Sequence, residues 1–458
     1  MKTSVYAVIE VSFICLALAS TANAATTVTF YKEVLPVLQK DCQSCHRPGE
    51  AAPMSFLTYE STRPWAKAIK TAVLSKNMPP WFADPHVGKF ANDRTLGKSE
   101  IDTLVAWADS GAESGNPSDA PKPIDWVEGW RIGKPDVIVS MPQPFAIPAK
   151  GAIDYQYVIL PTNFTEDKYI QMAEARPGDP TVVHHILAFI SEPNNPAMRG
   201  APRGVAFVPK DLAARARQQL AQLGLQPPAR QGGRQQPAGG GLLELGDMVA
   251  GYAPGTLPNV LRPGQAKLLP AGSEIILQIH YTASGKATTD LSQIGLIFAT
   301  AKPAERVLTL AATTTDFMIP AGDPNYQVDS KLKLQDDATL ISMLPHMHFR
   351  GKDFQYRVTY PTGEKETLLY VPRYDFNWQL SYDLAQPKLL PKGTLIECTA
   401  HYDNSANNKF NPDPTKDVPP GEQTWEEMMF GFFDVSVPVN KTAKDLIVPR
   451  AQPEPALE

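Results

Sequence analysis

The sequence predicts a mainly β protein with a small all-α unit at its N-terminal end. Proline accounts for 44 of the 458 residues, about twice its usual share, and this favours many turns and short strands over long helices. Short apolar runs alternate with turns throughout residues 151–300 and 301–450, whereas helix-like spacing of apolar residues is found mainly in residues 25–117. The length agrees with two to four domains.

The overall composition is that of a globular chain with real hydrophobic cores. Hydrophobic residues make up 43% of the chain, and the mean hydropathy is -0.24. The formal net charge is -5, so the chain offers no electrostatic reason to bind nucleic acid.

Residues 1–24 have the pattern of a secretory signal peptide. Lys2 supplies a positive charge, residues 11–19 form an apolar run, and Ala22 to Ala24 form a small-residue cleavage site. The apolar run is too short to span a bilayer comfortably, and no other segment of the sequence predicts a transmembrane segment. We expect cleavage after Ala24 and a periplasmic or secreted protein in an oxidising compartment.

The first unit, residues 25–117, contains Cys42, Cys45 and His46 in the pattern C-x-x-C-H. In this pattern both thiols bond covalently to a c-type haem, and the histidine becomes an axial ligand of the iron. A structural disulfide or a thioredoxin-like redox pair would use the same cysteines. Export, the adjoining histidine and helices predicted over Trp65–Leu74 and from Ser99 favour one covalent haem c per chain.

The second axial ligand is expected between these two helices. Met78 lies in the loop Lys76–Trp81, next to two prolines, and a rigid loop that presents a thioether suits this role. Met54 and His86 are the alternatives. The C-x-x-C-H pattern followed by N-M-P-P-W resembles the small cytochrome c domains of bacterial multidomain proteins over nearly the whole unit. This resemblance implies Met78 as the sixth ligand.

Residues 118–150 are rich in proline and are expected to form an ordered linker that packs on the next domain. In residues 151–300, His184 and His185 lie in one strand candidate, and His280 ends another. Neighbouring strand residues point to opposite faces, so one metal can hold both His184 and His185 only where the strand is irregular, as at a bulge. One ligand beside one core histidine is the alternative. Residues 200–241 form an insertion that is expected to be mobile.

Residues 301–450 repeat the strand-rich pattern and contain His346 and His348. Side chains two apart on a strand share a face, so both imidazoles point the same way and can chelate one metal. Two surface histidines are the alternative. His401 lies farther on, in a stretch that resembles the one around His280, and is expected to be a structural strand histidine rather than a ligand. After signal cleavage, Cys398 is the one cysteine outside the C-x-x-C-H pattern.

Four motifs, taken in order, resemble the copper type II ascorbate-dependent monooxygenases, the family of peptidylglycine α-hydroxylating monooxygenase and dopamine β-hydroxylase. The motifs cover residues from about 150 to 440. The first is the His184-His185 pair, and the second is Gly251-Tyr252-Ala253-Pro254-Gly255 leading to Leu277-Gln278-Ile279-His280-Tyr281. The third is His346-x-His348-x-x-Gly351-Lys352, and the fourth is Glu427-Met428 before an aromatic-rich strand.

The resemblance implies two packed, jelly-roll-like β-sandwich domains, residues 151–300 and 301–450, each with one copper. It assigns the electron-transfer copper to His184, His185 and His280, and the oxygen-binding copper to His346, His348 and Met428. A thioether beside two imidazoles also suits copper(I) better than zinc. In the family a disulfide-bonded cysteine follows the ligand methionine. Here Met429 occupies the position of that cysteine. Cys398 stands near the position of its disulfide partner in the family and is therefore left as a free thiol.

The resemblance implies a monooxygenase that inserts one atom of O2 into a C–H bond of a small molecule or peptide. The fused haem offers an internal electron source that replaces or supplements ascorbate or a periplasmic redox protein. The alternatives are a non-catalytic haem and copper protein for electron transfer or copper handling, and a β-sandwich binding module for sugar or peptide. The complete ligand set argues against the binding module.

Overall fold

The computed structural model describes residues 27–50, 52–127, 129–209 and 245–447. The predicted signal peptide and residues 210–241 of the predicted insertion lie outside the described residues. The fold class is mainly β, with 35% strand, 13% helix and several sheets. Among the described residues, no helix combines the length and the apolar character that crossing a membrane requires.

The N-terminal part of the chain, residues 27–117, contains four α-helices among its described residues and is called the helical unit below. They are α1 (Leu35–Asp41), α2 (Tyr59–Thr62), α3 (Ala66–Leu74) and α4 (Lys98–Asp109). The two helices predicted from apolar spacing correspond to α3 and α4. Glu100 accepts a hydrogen bond from the Gly97 backbone N–H at 2.7 Å and so caps the start of α4. Trp107 and Phe30 are fully buried in the core that these helices share.

The first β region spans residues 137–298. Its strands are β1 (Val137–Ser140), β2 (Phe145–Ile147), β3 (Gln156–Pro161), β4 (Lys168–Arg176), β5 (Val183–Ser191), β6 (Asp247–Tyr252), β7 (Asn259–Val260), β8 (Gln265–Leu269), β9 (Glu274–Tyr281), β10 (Thr288–Asp290) and β11 (Gln293–Phe298). The sheet β3-β9-β5-β6 packs on β1, β4 and β11 through one hydrophobic core. Residues 137–147 of the predicted linker thus belong to this region, because β1 pairs with β11 and β2 with β10.

The second β region spans residues 305–438 and is followed by a short helix, α5 (Ala443–Leu446). Its strands are β12 (Glu305–Thr313), β13 (Tyr326–Lys333), β14 (Ala338–His346), β15 (Gly351–Thr359), β16 (Lys365–Val371), β17 (Tyr382–Leu390), β18 (Leu395–Tyr402) and β19 (Phe430–Pro438). The sheet β13-β18-β15-β16 packs on β12, β19, β14 and β17.

The two β regions are continuous with each other. Strands β8 and β12 pair in parallel, so one nine-stranded sheet runs through both regions. A separate buried cluster lies between the regions and joins Tyr155 and Phe189 of the first to Met428 and Phe432 of the second. Because a shared apolar cluster joins them, the regions form a packed pair.

The segment between α3 and α4 leaves the helical unit and packs on the second β region. Phe82 is buried in the core of that region, and Trp81 lies 4.9 Å from Tyr382 between ring centroids. The Ala91 N–H donates a hydrogen bond to the Asp383 carbonyl at 2.8 Å. The helical unit is therefore docked through specific contacts as well as tethered by its linker.

Candidate metal centre

Three histidines of the first β region converge at one end of paired strands. His184 and His185 lie on β5, and His280 lies on β9, where it faces His185 across the ladder. The register shifts between Val183 and His185, which is the irregularity that lets both neighbouring histidines turn the same way. One ring nitrogen from each of the three histidines lies within 4.8 Å of the others.

The three imidazoles fit the ligand set of one metal ion. The Nε2 atoms of His184 and His185 and the Nδ1 atom of His280 are buried and have no hydrogen-bond partner among the described residues. Burial lowers the pKa of His184 to about 4 and holds the pKa values of His185 and His280 well below 6.5. The rings are therefore neutral at pH 7, and three imidazoles suit copper, zinc, iron or nickel.

His346 and His348 form the second histidine set. His346 ends β14, and its Nδ1 lies 2.9 Å from the Gln379 Oε1; the Nδ1 of His348 lies 3.1 Å from the Glu426 carbonyl oxygen. Because both partners are acceptors, each Nδ1 carries the proton. Each Nε2 is buried without a partner among the described residues and keeps its lone pair for a metal ion. Burial lowers the pKa to about 4 for His346 and to about 3 for His348.

A buried carboxyl group holds the backbone of this second set. Glu427 accepts hydrogen bonds from the His348 N–H at 2.8 Å and from the Arg350 N–H at 2.7 Å. Its side chain is fully buried, and burial raises its pKa to about 8. The Glu427 side chain therefore ties the loop after β14 to the segment that leads into β19.

The two neighbouring methionines face different surroundings. Met428 is 7% exposed and belongs to the buried cluster between the β regions, together with Tyr155 and Phe430. Met429 is fully buried in the core of the second β region. This agrees with opposite side-chain directions at neighbouring positions. Met428 shares its cluster with Tyr155, which lies against His280 and His348.

The structure brings the two histidine sets side by side. The ring centroids of His185 and His346 lie 6.2 Å apart, and both residues line one cavity of about 610 Å³ between the β regions. Tyr155 lies between the sets, 4.7 Å from His280 and 6.1 Å from His348 between ring centroids. Its buried hydroxyl has no hydrogen-bond partner among the described residues.

Several residues of this centre were not predicted from the sequence. They are Tyr155, Phe376, Gln379 and the main chain of Glu426. They lie in connecting segments, where no periodic pattern marks them.

In the helical unit, Cys42 and Cys45 form no disulfide, so both thiols are available. His46 stacks on Phe56 at 4.3 Å between ring centroids, and its buried Nδ1 has no hydrogen-bond partner among the described residues. Burial lowers the pKa of His46, an effect that a hydrogen bond to the Met54 backbone partly opposes. Two free thiols beside a neutral histidine fit covalent haem attachment.

The three candidates for the sixth iron ligand differ in burial. Met78 is half-buried in the loop after α3, and Met54 is half-buried against the core of the helical unit. His86 is exposed. Exposure weakens the case for His86, because an axial ligand of an enclosed haem is itself enclosed.

Two further predictions concern residues outside the histidine sets. Cys398 is a free and fully buried thiol, as predicted. His401 lies on β18, where its Nδ1 is 2.8 Å from the Asp353 carboxylate. That contact is the structural bond expected of a strand histidine.

Comparisons with known proteins leave the family of this chain open. No family model matches the chain, and no curated protein matches it. Among solved structures, that of infectious bursal disease virus Gx strain has 7% identity and a TM-score of 0.15 over 68% of this chain and 74% of that one. The Sputnik virophage structure has 7% identity and a TM-score of 0.16 over 73% of this chain and 94% of that one.

Proposed function

We propose that this chain is an exported copper-dependent monooxygenase that inserts one atom of O2 into a C–H bond, with electrons supplied through a fused c haem. In this proposal the chain is a relative of the copper type II ascorbate-dependent monooxygenases, with two jelly-roll-like copper domains after a cytochrome c domain. The observation that carries the proposal is the pair of histidine sets, whose buried ring nitrogens lack partners and which meet at one cavity.

The ligand assignment is the one that the family resemblance implies, and the unpartnered ring nitrogens of both histidine sets support it. His184, His185 and His280 would hold one copper, and His346 and His348 with Met428 the other. Bound copper would supply O2 binding and one-electron redox chemistry. The low pKa values of the imidazoles keep their lone pairs available at neutral pH, so that no proton competes for the metal.

The protein's own groups orient the second set. The Gln379 side chain and the Glu426 carbonyl hold the protons of His346 and His348 on Nδ1. The Glu427 side chain accepts hydrogen bonds from the peptide N–H groups of the same loop. Such secondary contacts restrict the ring orientation and the tautomer, which supports a preorganised ligand geometry.

The cavity between the β regions is the proposed substrate site. It is lined near His346 by apolar side chains, including Leu187, Met248, Leu344 and Phe432. Apolar walls bind the carbon skeleton of a small molecule or peptide side chain and exclude bulk water. Ascorbate or a periplasmic redox protein would act as the external electron donor.

In the helical unit, Cys42 and Cys45 would carry the haem, and His46 and Met78 would be its axial ligands. Bound haem would supply electrons from a position fixed against both β regions. The docking contacts of residues 81–92 favour a fixed donor over a mobile one.

The proposal is tested by turnover under ¹⁸O2 with a panel of small molecules and peptides. A monooxygenase places one ¹⁸O atom in the product, and the His346→Ala variant loses this label. The His401→Ala variant is the matched control, because His401 bonds to Asp353 outside both histidine sets. Copper binding and haem reduction without labelled product would instead support electron transfer or copper handling.

A further inference from the structure

Trp81 of the helical unit lines the cavity that contains both histidine sets. It closes the loop of residues 76–81 and follows Met78, the sixth iron ligand that the resemblance implies, by three positions. The same cavity is lined by His185 of the first set and by His346 of the second. One short loop therefore connects the expected haem site directly with the metal centre.

The indole ring of Trp81 is held against the second β region by aromatic contacts. Its centroid lies 4.9 Å from that of the Tyr382 ring and 5.8 Å from that of the Phe90 ring. Tyr382 lies on β17 and pairs with Met343 on β14, the strand that ends at His346. The indole therefore packs next to the strand that carries a histidine of the second set.

Arg373 of the second β region holds the chain on both sides of Trp81. Its guanidinium donates hydrogen bonds to the Lys76 carbonyl oxygen at 2.8 Å and to the Asn77 Oδ1 at 3.1 Å. These acceptors follow the last turn of α3, where the partial negative charge of the helix terminus favours a cation. On the other side, the guanidinium lies 5.1 Å from the centroid of the Phe82 ring. The position of the indole is thus fixed relative to the β region.

The segment after this loop pairs with β17, the outermost strand of the nine-stranded sheet. The Ala385 N–H donates a hydrogen bond to the Lys89 carbonyl at 2.9 Å, and the Ala91 N–H donates one to the Asp383 carbonyl at 2.8 Å. The Asn92 side chain accepts a further bond from the Asp383 N–H at 3.0 Å. This backbone pairing gives the helical unit a defined distance from the metal centre.

We propose that Trp81 is the contact through which electrons pass from the haem to the metal centre. This inference rests on the proposed function, because it requires both haem and copper. In each step one electron leaves ferrous haem iron, which becomes ferric, and reduces copper(II) to copper(I). No bond forms or breaks, and the indole ends in its original oxidation state. A packed ring favours this step, because electrons tunnel more readily through bonded and packed atoms than across an empty gap.

The alternative route passes through Tyr252. A second cavity, of about 300 Å³, lies between the helical unit and the first β region and is lined by Cys45 and Tyr252. Tyr252 also lines the cavity of the histidine sets. However, Tyr252 belongs to β6 and faces Cys45 across the second cavity, whereas Trp81 is joined to Met78 by the chain itself. Continuity of the chain therefore favours Trp81.

The test measures electron transfer in the holoprotein without turnover. In the absence of O2, a flash-excited ruthenium complex reduces the ferric haem of copper(II)-loaded protein, and the haem absorbance then reports its reoxidation by copper. We expect Trp81→Leu to slow this reoxidation several-fold. Trp81→Phe keeps an aromatic ring and should retain most of the rate. Trp65→Leu is the matched control, because Trp65 is 40% exposed on the same unit.

Two further measurements distinguish a loss of the electron route from a loss of docking. The near-infrared band of sulfur bonded to iron reports the haem ligation, and small-angle X-ray scattering reports whether the helical unit stays docked. Both should be unchanged in Trp81→Leu. Equal slowing in Trp81→Leu and Trp81→Phe, together with an expanded scattering profile, would show that the ring acts in docking alone and would overturn the inference.

The remaining outcomes separate this inference from the proposed function. A wild-type chain without haem, or with haem and copper(II) but no reoxidation, overturns the electron supply through haem and the role of Trp81 with it. An unchanged rate in Trp81→Leu, or slowing in Tyr252→Leu alone, overturns the role of Trp81 and leaves the proposed function standing. If Trp81→Leu does not fold, Trp81→Met replaces it, because a flexible apolar side chain fills irregular space without a ring. An unchanged rate in that variant also overturns the inference.

Discussion

Phe376 of the second β region lies parallel to His184 of the first, with ring centroids 4.8 Å apart and ring planes 11° apart. The same phenylalanine lies 6.0 Å from His280 and 6.1 Å from His348 between ring centroids. One side chain from a connecting segment therefore touches both histidine sets. The relative position of the two β regions and the geometry of the metal centre depend on each other.

Replacement of this ring tests that dependence. We expect Phe376→Ala to lower the free energy of unfolding by about 3 kcal/mol, because a buried phenylalanine leaves a cavity at the interface. Phe376 is 7% exposed, whereas Phe410 is 46% exposed, so Phe410→Ala is the control and should have little effect. Urea denaturation measures both. Equal stability of the two variants would contradict a structural role for the ring.

Two copper ions should bind through sites that mutations can separate. We expect His346→Ala or Met428→Ala to remove or weaken one copper and to leave the other in place. Met429→Ala is the control, because its side chain packs in the core of the second β region. Copper content and copper X-ray absorption provide the measurement. Sulfur scattering that persists in Met428→Ala but vanishes in Met429→Ala would reverse the assignment of the two methionines.

The metal-free protein should lose stability as the pH falls below 6.5. The folded-state pKa values of His184 and His346 are about 4 and that of His348 is about 3, so the unfolded chain binds more protons between those values and 6.5. Each such histidine contributes a slope of up to about 1.4 kcal/mol per pH unit. Stability is then fully present above pH 6.5 and falls towards pH 4.

Glu427 has the opposite effect on the pH dependence of stability, because its pKa is raised to about 8. It accounts for one proton, whereas the buried histidines together account for several. Urea denaturation of metal-free protein from pH 5 to pH 8 measures the sum. His346→Asn should reduce the slope by about one proton. A stability that stays constant or rises between pH 6.5 and pH 5 would show that the imidazoles are not buried as neutral rings.

Thiol titration should report both the haem and Cys398. Cys398 is fully buried, so we expect no reaction in the native protein. After denaturation one thiol should react if haem occupies Cys42 and Cys45, and three should react if it does not. Complete absence of a reactive thiol in the denatured mature chain would indicate a disulfide between chains or a modification of Cys398.

The sixth iron ligand can be identified by a weak absorption band in the near infrared that arises from sulfur bonded to iron. We expect one haem per chain and loss of this band in Met78→Ala. Met54→Ala should retain it, since Met54 packs against the core of the helical unit. A band that survives in Met78→Ala and disappears in Met54→Ala would show that Met54 is the ligand.

Local spacing in the sequence was enough to predict several features of this chain. The apolar periodicity predicted helices α3 and α4 and the mainly β character of the remainder. Spacing drew attention to the pairs His184-His185 and His346-x-His348, whereas the grouping of His280 with the first pair came from the family resemblance. His184 and His185 can share a metal only where the strand is irregular, and this condition was predictable from strand geometry. The register shift between Val183 and His185 meets it.

Only the tertiary structure decided how these pieces meet. The pairing of β8 with β12, the approach of His185 to His346 and the position of Phe376 join segments that are distant in the chain. No pattern in residues 81–92 predicted a tertiary contact, yet they pack on the second β region. Such contacts depend on the complementary shape of whole surfaces. Local spacing carries no information about that complementarity, because the residue pattern of a segment is the same whichever surface it packs against.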